Sequence, residues 1–330
     1  MREMPTPLVS IIMSSYNHES FIEDALNSVF NQSYKNIEII LCDNCSSDNT
    51  FHKALEFCNS HSIKNIRCVV ERNDKNLGVT RSLNRCLDFA RGEYFFNLWT
   101  DDCIQNDCIE TFISYALKNT SFNGIYICGT NDIDIEGNIL RRRDLSFLGS
   151  GGIVTKNIFW ESLFATSYKE LMVVPYFGSI AAMNKLGNFD VEYNSVEWDL
   201  YIRSNGGPGI FYVPHNLYSF RKVPKSAGSR TLEYADGLLE AVVKYKSCFG
   251  ELYNEYFFKT KIRVIRVYFS NYQFKLGLNR FYKYLINGKD ILNDVQLIIE
   301  IFCLFTKYFV RHLIPVPLVN FYTYKIKKYI

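Results

Sequence analysis

The sequence predicts an α/β fold: a Rossmann-like, mostly parallel sheet flanked by helices, with a helical appendage toward the C-terminal end. Three observations carry this prediction. Between residues 8 and 98, short and almost continuously apolar runs alternate with segments of helical periodicity, and strands without polar alternation are those covered on both faces, as in parallel sheets. An apolar content of 48%, with 16% aromatic residues, supports a substantial core and excludes a disordered chain. The apolar run Tyr94-Phe95-Phe96-Asn97-Leu98-Trp99 then stops at Thr100-Asp101-Asp102. A buried strand ending in paired acids presents them at the carboxyl edge of a sheet, where open α/β folds bind ligands.

The elements follow in order. Leu8-Val9-Ser10-Ile11-Ile12-Met13 reads as a buried strand, and residues 18–30 as a helix with Phe21, Ile22, Ala25, Leu26, Val29 and Phe30 on one face. Asn36–Leu41 is a second strand and 48–59 a second helix; 66–70 and 79–90 repeat the pair. Gly92 punctuates before the strand 93–98. Residues 121–190 are less regular: 132–138 reads as a turn between two strands, and Gly149-Ser150-Gly151-Gly152 as a flexible join. Residues 231–330 read mostly as helices rich in Tyr, Phe and Lys. The 330 residues therefore divide into a large α/β domain over 1–230 and a basic, aromatic-rich helical region over 231–330.

The formal net charge of +3 hides an asymmetry. Residues 256–330 hold thirteen Lys/Arg against three acids, Asp290, Asp294 and Glu300. Such a segment favours an anionic neighbour. Without a helix-turn-helix or RNP pattern, nucleic acid is not expected, and an anionic membrane surface fits the accompanying apolar residues. The N-terminus runs into the first strand without a secretory leader, so a cytoplasmic protein, peripheral to the inner face of the membrane, is expected. Ten cysteines without a repeated C-x-x-C pair read as core-filling thiols rather than a zinc site.

Hard oxygen ligands such as Asp101 and Asp102 suit Mn²⁺ or Mg²⁺, and such an ion can hold a diphosphate. The bland alternative is a turn with a helix N-cap. The first strand–helix turn, Ser14-Ser15-Tyr16-Asn17-His18, lacks G-x-G-x-x-G, which disfavours a dinucleotide dehydrogenase. Its polar side chains and aromatic suit a nucleotide whose base and ribose lie near that loop, making Ser14, Tyr16 and Asn17 candidate binding residues.

Several ordered motifs complete the pattern. Pro7-Leu8-Val9-Ser10-Ile11-Ile12-Met13-Ser14-Ser15-Tyr16-Asn17 resembles the opening strand of family-2 glycosyltransferases with the GT-A fold. Asp43-Asn44-Cys45-Ser46-Ser47-Asp48 resembles their D-D-G-S-x-D turn, and Asn76–Asn84 their N-x-G-x-T-K-S-L-N segment. Ala90-Arg91-Gly92-Glu93-Tyr94, Gly187-Asn188-Phe189-Asp190 and Glu197–Arg203 are similar to later blocks of the same family, so the resemblance covers roughly residues 7–222.

The resemblance implies a UDP-sugar donor and a role for each motif. Tyr16 would lie against the base. Asp43 would accept from the uracil imide, rejecting cytosine. Arg81, in the first turn of a helix, would face the diphosphate. Asp101 aligns with the direct metal ligand, with Asp102 capping the next helix or holding a metal-bound water, while Trp99 stands where the family has its first acid. Glu197 aligns with the catalytic base, with Asp199 as runner-up. Where the family often has R-x-H, this chain has Arg221-Lys222-Val223, and those cations could neutralise the leaving diphosphate. His18, His52, His61 and His312 show no ligand-like spacing.

The expected activity is a metal-dependent, inverting transfer of a hexose to a lipid-diphosphate-linked oligosaccharide in bacterial O-antigen or capsule synthesis. The competing expectation is a non-catalytic sugar-nucleotide binder or scaffold of a polysaccharide assembly complex. A nucleotidyltransferase would need a Gly-rich signature loop that the N-terminal region lacks.

Overall fold

In the computed structural model of the chain, the first strand, β1 (Val9–Ser15), is buried at every position. Both of its faces are covered, which is why its sequence shows no alternation. Helix α1 (Ile22–Phe30) follows, burying Ile22, Ala25, Leu26, Val29 and Phe30 along one stripe. Strand β2 (Ile37–Asp43), α2 (Thr50–Ser60), β3 (Arg67–Arg72), α3 (Val79–Phe89) and β4 (Tyr94–Asn97) continue the alternation that the periodicity predicts. The structure describes residues 6–61, 66–164, 175–192, 196–223 and 231–270.

The second half of the first unit adds β5 (Cys103–Ile104), α4 (Cys108–Lys118), β6 (Ile125–Ile133), β7 (Ile139–Arg143), β8 (Gly152–Val154), α5 (Lys156–Phe164), β9 (Phe177–Ser179), α6 (Ile180–Leu186), α7 (Val196–Gly206) and β10 (Ile210–Arg221). One sheet runs β3-β2-β1-β4-β9-β6-β10-β5, with β7 beside β6 and β8 beside β10. Strands β1, β2, β3 and β4 are mutually parallel, and β6 and β10 run the same way because β9 is antiparallel to both β4 and β6. The carboxyl ends of β1, β2, β4, β6 and β10 therefore face one edge. Helices α1 and α4 pack their apolar stripes on one face of the sheet, and α3 covers β1 and β2.

The region that looked irregular in sequence contains the nine-residue β6, buried throughout. Its polar end is hidden because Asp132 is paired with Arg143 of β7 at 2.8 Å. The turn expected at 132–138 is present, with Asp134 Oδ1 accepting from the Asn138 N–H at 2.7 Å. The glycine run leads into β8, which starts at Gly152. Gly149, Gly151 and Gly152 have φ of 120°, 111° and 117°, and a Cβ on Gly151 would sit 2.9 Å from the Pro214 ring.

Two compact units emerge: Met1–Ser229 with Tyr245–Phe249, and Arg230–Lys244 with Gly250–Ile330. The short helix α9 (Lys246–Phe249) belongs to the first, where Phe249 packs on Trp160 with ring centroids 4.6 Å apart. In the second, α8 (Thr231–Lys244) packs against α10 (Tyr253–Ser270). Among the described residues, no helix is long and apolar enough to cross a membrane. The basic, aromatic tail singled out in the sequence lies, beyond Ser270, outside the described residues.

Candidate active site

The two acids after β4 differ in burial and partners. Asp102 is fully buried, accepting from the Tyr218 hydroxyl at 2.7 Å and from the Arg221 N–H at 2.7 Å. Burial, with the neighbouring Asp101 charge, pushes its carboxyl well above the usual carboxylate range, against the pull of these two donors. Asp102 is thus a structural tie between β4 and β10, not the metal-water ligand or cap expected of it. The Asp101 side chain keeps 13% of its surface exposed at the carboxyl edge. Trp99 packs partly buried against the core and donates its N–H to Tyr218 Oη at 3.2 Å.

Arg221 is also corrected. Its guanidinium is buried and fully committed: Nε to the Asp101 carbonyl at 3.0 Å, Nη1 to the Ile135 carbonyl at 2.7 Å and the Asp134 carbonyl at 3.3 Å, and Nη2 to Asp24 at 3.0 Å and Cys103 Sγ at 3.5 Å. It lies over the Phe21 ring. No donor is left for a diphosphate, so Arg221 holds the backbone under Asp101 instead. Lys222 is 3.5 Å from Asp132 and over the Phe220 ring. Asp199, the runner-up base, is buried and held by both Nε and Nη2 of Arg203. Its Oδ2 also accepts from the Asp190 N–H at 3.3 Å, so both oxygens are engaged in holding the loop before α7.

Asp199 and Arg203 lock the segment that leads into α7. Arg203 donates to the Leu186 carbonyl at 2.6 Å and the Asn188 carbonyl at 2.8 Å. Asn84, from the motif after β3, brackets Phe189 with two hydrogen bonds of 2.8 and 3.0 Å. Motifs a hundred residues apart in sequence thus meet at one loop. Glu197 is the second residue of α7; its side chain lies outside the described residues.

The β1 and β2 loops are stitched together. Asn17, with φ of 56°, donates its N–H to Ser46 Oγ at 2.9 Å and accepts from the Ser47 N–H at 2.8 Å. Ser14 is buried, its carbonyl accepting from the Thr100 hydroxyl at 3.3 Å. Tyr16 stands out of this loop, 46% exposed. Asp43 is fully buried. Its Oδ1 takes the Ser15 and Ser46 hydroxyls, its Oδ2 takes the Ser46 N–H at 2.9 Å, and the Arg72 guanidinium stands 3.5 Å from Oδ2 as an ion pair. Three donors fill three of its about four acceptor sites. As it stands, Asp43 fixes the 44–48 turn.

The Asn76-Leu77-Gly78 turn hangs on Asn44, whose Oδ1 accepts from the Leu77 N–H at 2.7 Å. Gly78 caps α3 at φ of 85°, a conformation that suits glycine. Arg81, in the first turn of α3, is exposed, with Nη1 3.5 Å from the Leu77 carbonyl.

Sequence reasoning missed His18. Its Nδ1 lies 2.7 Å from Thr100 Oγ1, and its Nε2 lies 4.0 Å from Asp101 Oδ2. No spacing rule could have found this, because the two residues meet only when the β1 loop folds over the end of β4. Among the described residues no group of three or more His, Cys, Asp or Glu side chains forms a metal cage. A cation held by one outward carboxylate, with phosphate oxygens and water completing its shell, still fits these residues.

A family model described as glycosyl transferase family 2 matches residues 10–177, just over half of the chain. The chain belongs to glycosyl transferase family 2. It is 36% identical over 141 residues to an uncharacterized glycosyltransferase of Haemophilus influenzae, covering 42% of this chain and 53% of the relative. It is 40% identical over 112 residues to the UDP-Glc:alpha-D-GlcNAc-diphosphoundecaprenol beta-1,3-glucosyltransferase WfgD of Escherichia coli, covering 34% and 42% respectively. These matches span about half of the curated relatives' length or less. Among solved structures, S. aureus TarS 1-349 in complex with UDP-GlcNAc aligns with a TM-score of 0.59 at 16% identity, over 90% of this chain and 80% of that one. The mannosyltransferase PcManGT from Pyrobaculum calidifontis, in complex with GDP-Man and Mn2+, aligns with 0.57 at 13% identity, over 92% and 83%. At such identities the likeness shows the fold: the mixed, mostly parallel GT-A sheet flanked by helices.

Proposed function

We propose that this family-2 glycosyltransferase is an inverting, metal-dependent hexosyltransferase that uses a UDP-sugar and acts on a lipid-diphosphate-linked oligosaccharide during surface polysaccharide synthesis. The observation that carries the reading is the separation of the acid pair: Asp102 is locked inward, and Asp101 is left at the carboxyl edge beside the β1 loop. The donor and acceptor classes are supported by the relative WfgD, a glucosyltransferase named for UDP-Glc and a diphosphoundecaprenol acceptor.

In this reading Asp101 holds the divalent ion, which when bound neutralises charge on the departing UDP. The exposed Tyr16 ring stacks on the base, over the turn that Asp43 and Asn17 fix. The Arg81 guanidinium faces the diphosphate from the start of α3. Glu197 takes the proton from the acceptor hydroxyl; that oxygen then bonds to the anomeric carbon from the face opposite UDP as the carbon–oxygen bond to UDP breaks. One displacement inverts the centre, giving a β-linkage from an α-linked donor. The basic, aromatic segment beyond Glu300 would rest in the headgroup layer of an anionic membrane, on the side where the lipid-linked acceptor lies.

A donor panel tests the assignment. UDP-Glc, UDP-Gal, UDP-GlcNAc and UDP-GalNAc are each added to the full chain with and without Mn²⁺, and thermal midpoints are compared. At one hundred times Kd a specific ligand stabilises by about 2.7 kcal/mol. Stabilisation by one UDP-sugar, with UDP release when a diphospholipid-linked GlcNAc is added, supports the reading; no response to any UDP-sugar contradicts it.

A further inference from the structure

We propose that His18 is a second protein ligand of the divalent ion at Asp101, and that it biases the site toward Mn²⁺ over Mg²⁺. This rests on the reading of Asp101 as a metal ligand and deepens it. The Thr100 hydroxyl donates to the Ser14 carbonyl at 3.3 Å. Its proton is therefore committed, and at 2.7 Å from His18 Nδ1 the hydroxyl oxygen acts as acceptor. The proton of the neutral imidazole then sits on Nδ1, and the Nε2 lone pair is free. Such a hydrogen bond on the distal nitrogen is how proteins set the tautomer and orientation of a metal-binding histidine.

Nε2 faces the carboxylate of Asp101, 4.0 Å from Oδ2. Two cis ligands about 2.1 Å from one octahedral ion lie about 3 Å apart, so closing this gap by about 1 Å brings both onto a shared ion. Both groups remain accessible, His18 with 27% and Asp101 with 13% of side-chain surface exposed. The backbone beneath both is tied: the His18 N–H donates to Thr50 Oγ1 at 2.7 Å, and the Asp101 carbonyl accepts from the buried Arg221. An imidazole nitrogen binds first-row transition ions far better than Mg²⁺, which favours oxygen. Discrimination between the ions at this site would therefore come from His18.

The test is direct binding to the full chain, with MnCl₂, MgCl₂ and UDP as probes. Echo-modulation spectroscopy of bound Mn²⁺ in the presence of UDP reads nitrogen coordination, and titration gives Kd for each ion. The expected result is ¹⁴N modulation of imidazole type in the wild type, absent in His18→Ala. That variant should also lose about 10-fold or more in Mn²⁺ affinity while changing little for Mg²⁺. Thr100→Val, which keeps the imidazole but removes its partner, should give a smaller loss. An unchanged thermal midpoint shows that His18→Ala still folds; the loop is held by the backbone of residue 18, so this is expected. Loss of Mn²⁺ in Asp101→Asn with unchanged Mn²⁺ binding in His18→Ala overturns the His18 ligand alone. Wild-type Mn²⁺ affinity in Asp101→Asn overturns the shared metal site itself.

Discussion

The Asp102 carboxylate accepts the backbone N–H of Arg221 at 2.7 Å, tying the end of β4 to the end of β10 across the site. Tyr218 closes the same carboxylate from its other oxygen at 2.7 Å. Asp102→Ala leaves both donors buried without that partner, and leaving buried polar groups unsatisfied costs about 1–3 kcal/mol each. Urea unfolding of the variant should show a loss of that size. A loss below about 1 kcal/mol would mean that Asp102 is not the tie described.

Asp199 and Glu197 separate by assay. Asp199 is clamped by Arg203 beneath the loop 186–190, so Asp199→Asn should lower the urea midpoint. The folded fraction should keep transfer within about tenfold of wild type. Glu197→Gln should leave UDP affinity and stability intact and slow turnover by about 10²–10⁴-fold, the typical worth of a general base. The reverse pattern would move the base to Asp199.

Asp48 makes the β2 loop sensitive to acid. Burial raises its carboxyl, but the hydroxyl and N–H of Thr50 and the N–H of Glu19 outweigh that and hold it below its ordinary value. A depressed carboxylate contributes stability above its unfolded pKa of about 3.9, and the contribution is lost as pH falls through the folded value. Asp48→Ala should therefore cost about 1–2 kcal/mol at pH 7. The gap from wild type should narrow below about pH 4, measured by urea midpoints across pH; a constant gap would contradict this.

The parallel half of the sheet was legible because β1 and β2 carry nearly continuous apolar runs, a pattern that covering both faces favours. Strands β5, β8 and β9 were not, being two or three residues long, too short for any period to show. The acid pair expected at a strand end does follow β4 (Tyr94–Asn97). The motifs could not give burial and partners: Asp101 and Asp102 are adjacent and alike in sequence, yet only one is locked by Tyr218. Arg221 read as a free cation because the carbonyls it satisfies, at Asp101 and Ile135, belong to segments distant in the chain. His18 escaped notice for the same reason, since its partners Thr100 and Asp101 lie over eighty residues away.

The basic tail makes a further claim. Beyond Glu300 it holds five Lys/Arg and no acid, interleaved with aromatic residues, and each basic residue near anionic lipid contributes about 1 kcal/mol. Full-length protein should co-sediment with phosphatidylglycerol vesicles in low salt and release in high salt, while a truncation after Ser270 should not sediment. Absence of binding by the intact chain would remove the membrane from the account.

The most direct measurement is calorimetric titration of UDP into the wild type and Asp101→Asn, each with Mn²⁺ and with EDTA. Asp101 is the one acid of its pair that the fold leaves at the edge, so wild type should bind UDP with Mn²⁺ and bind it at least tenfold more weakly in EDTA. Asp101→Asn should match the EDTA result under both conditions, with its thermal midpoint unchanged. An Mn²⁺-dependent UDP affinity in Asp101→Asn equal to that of the wild type would contradict the metal-held donor site.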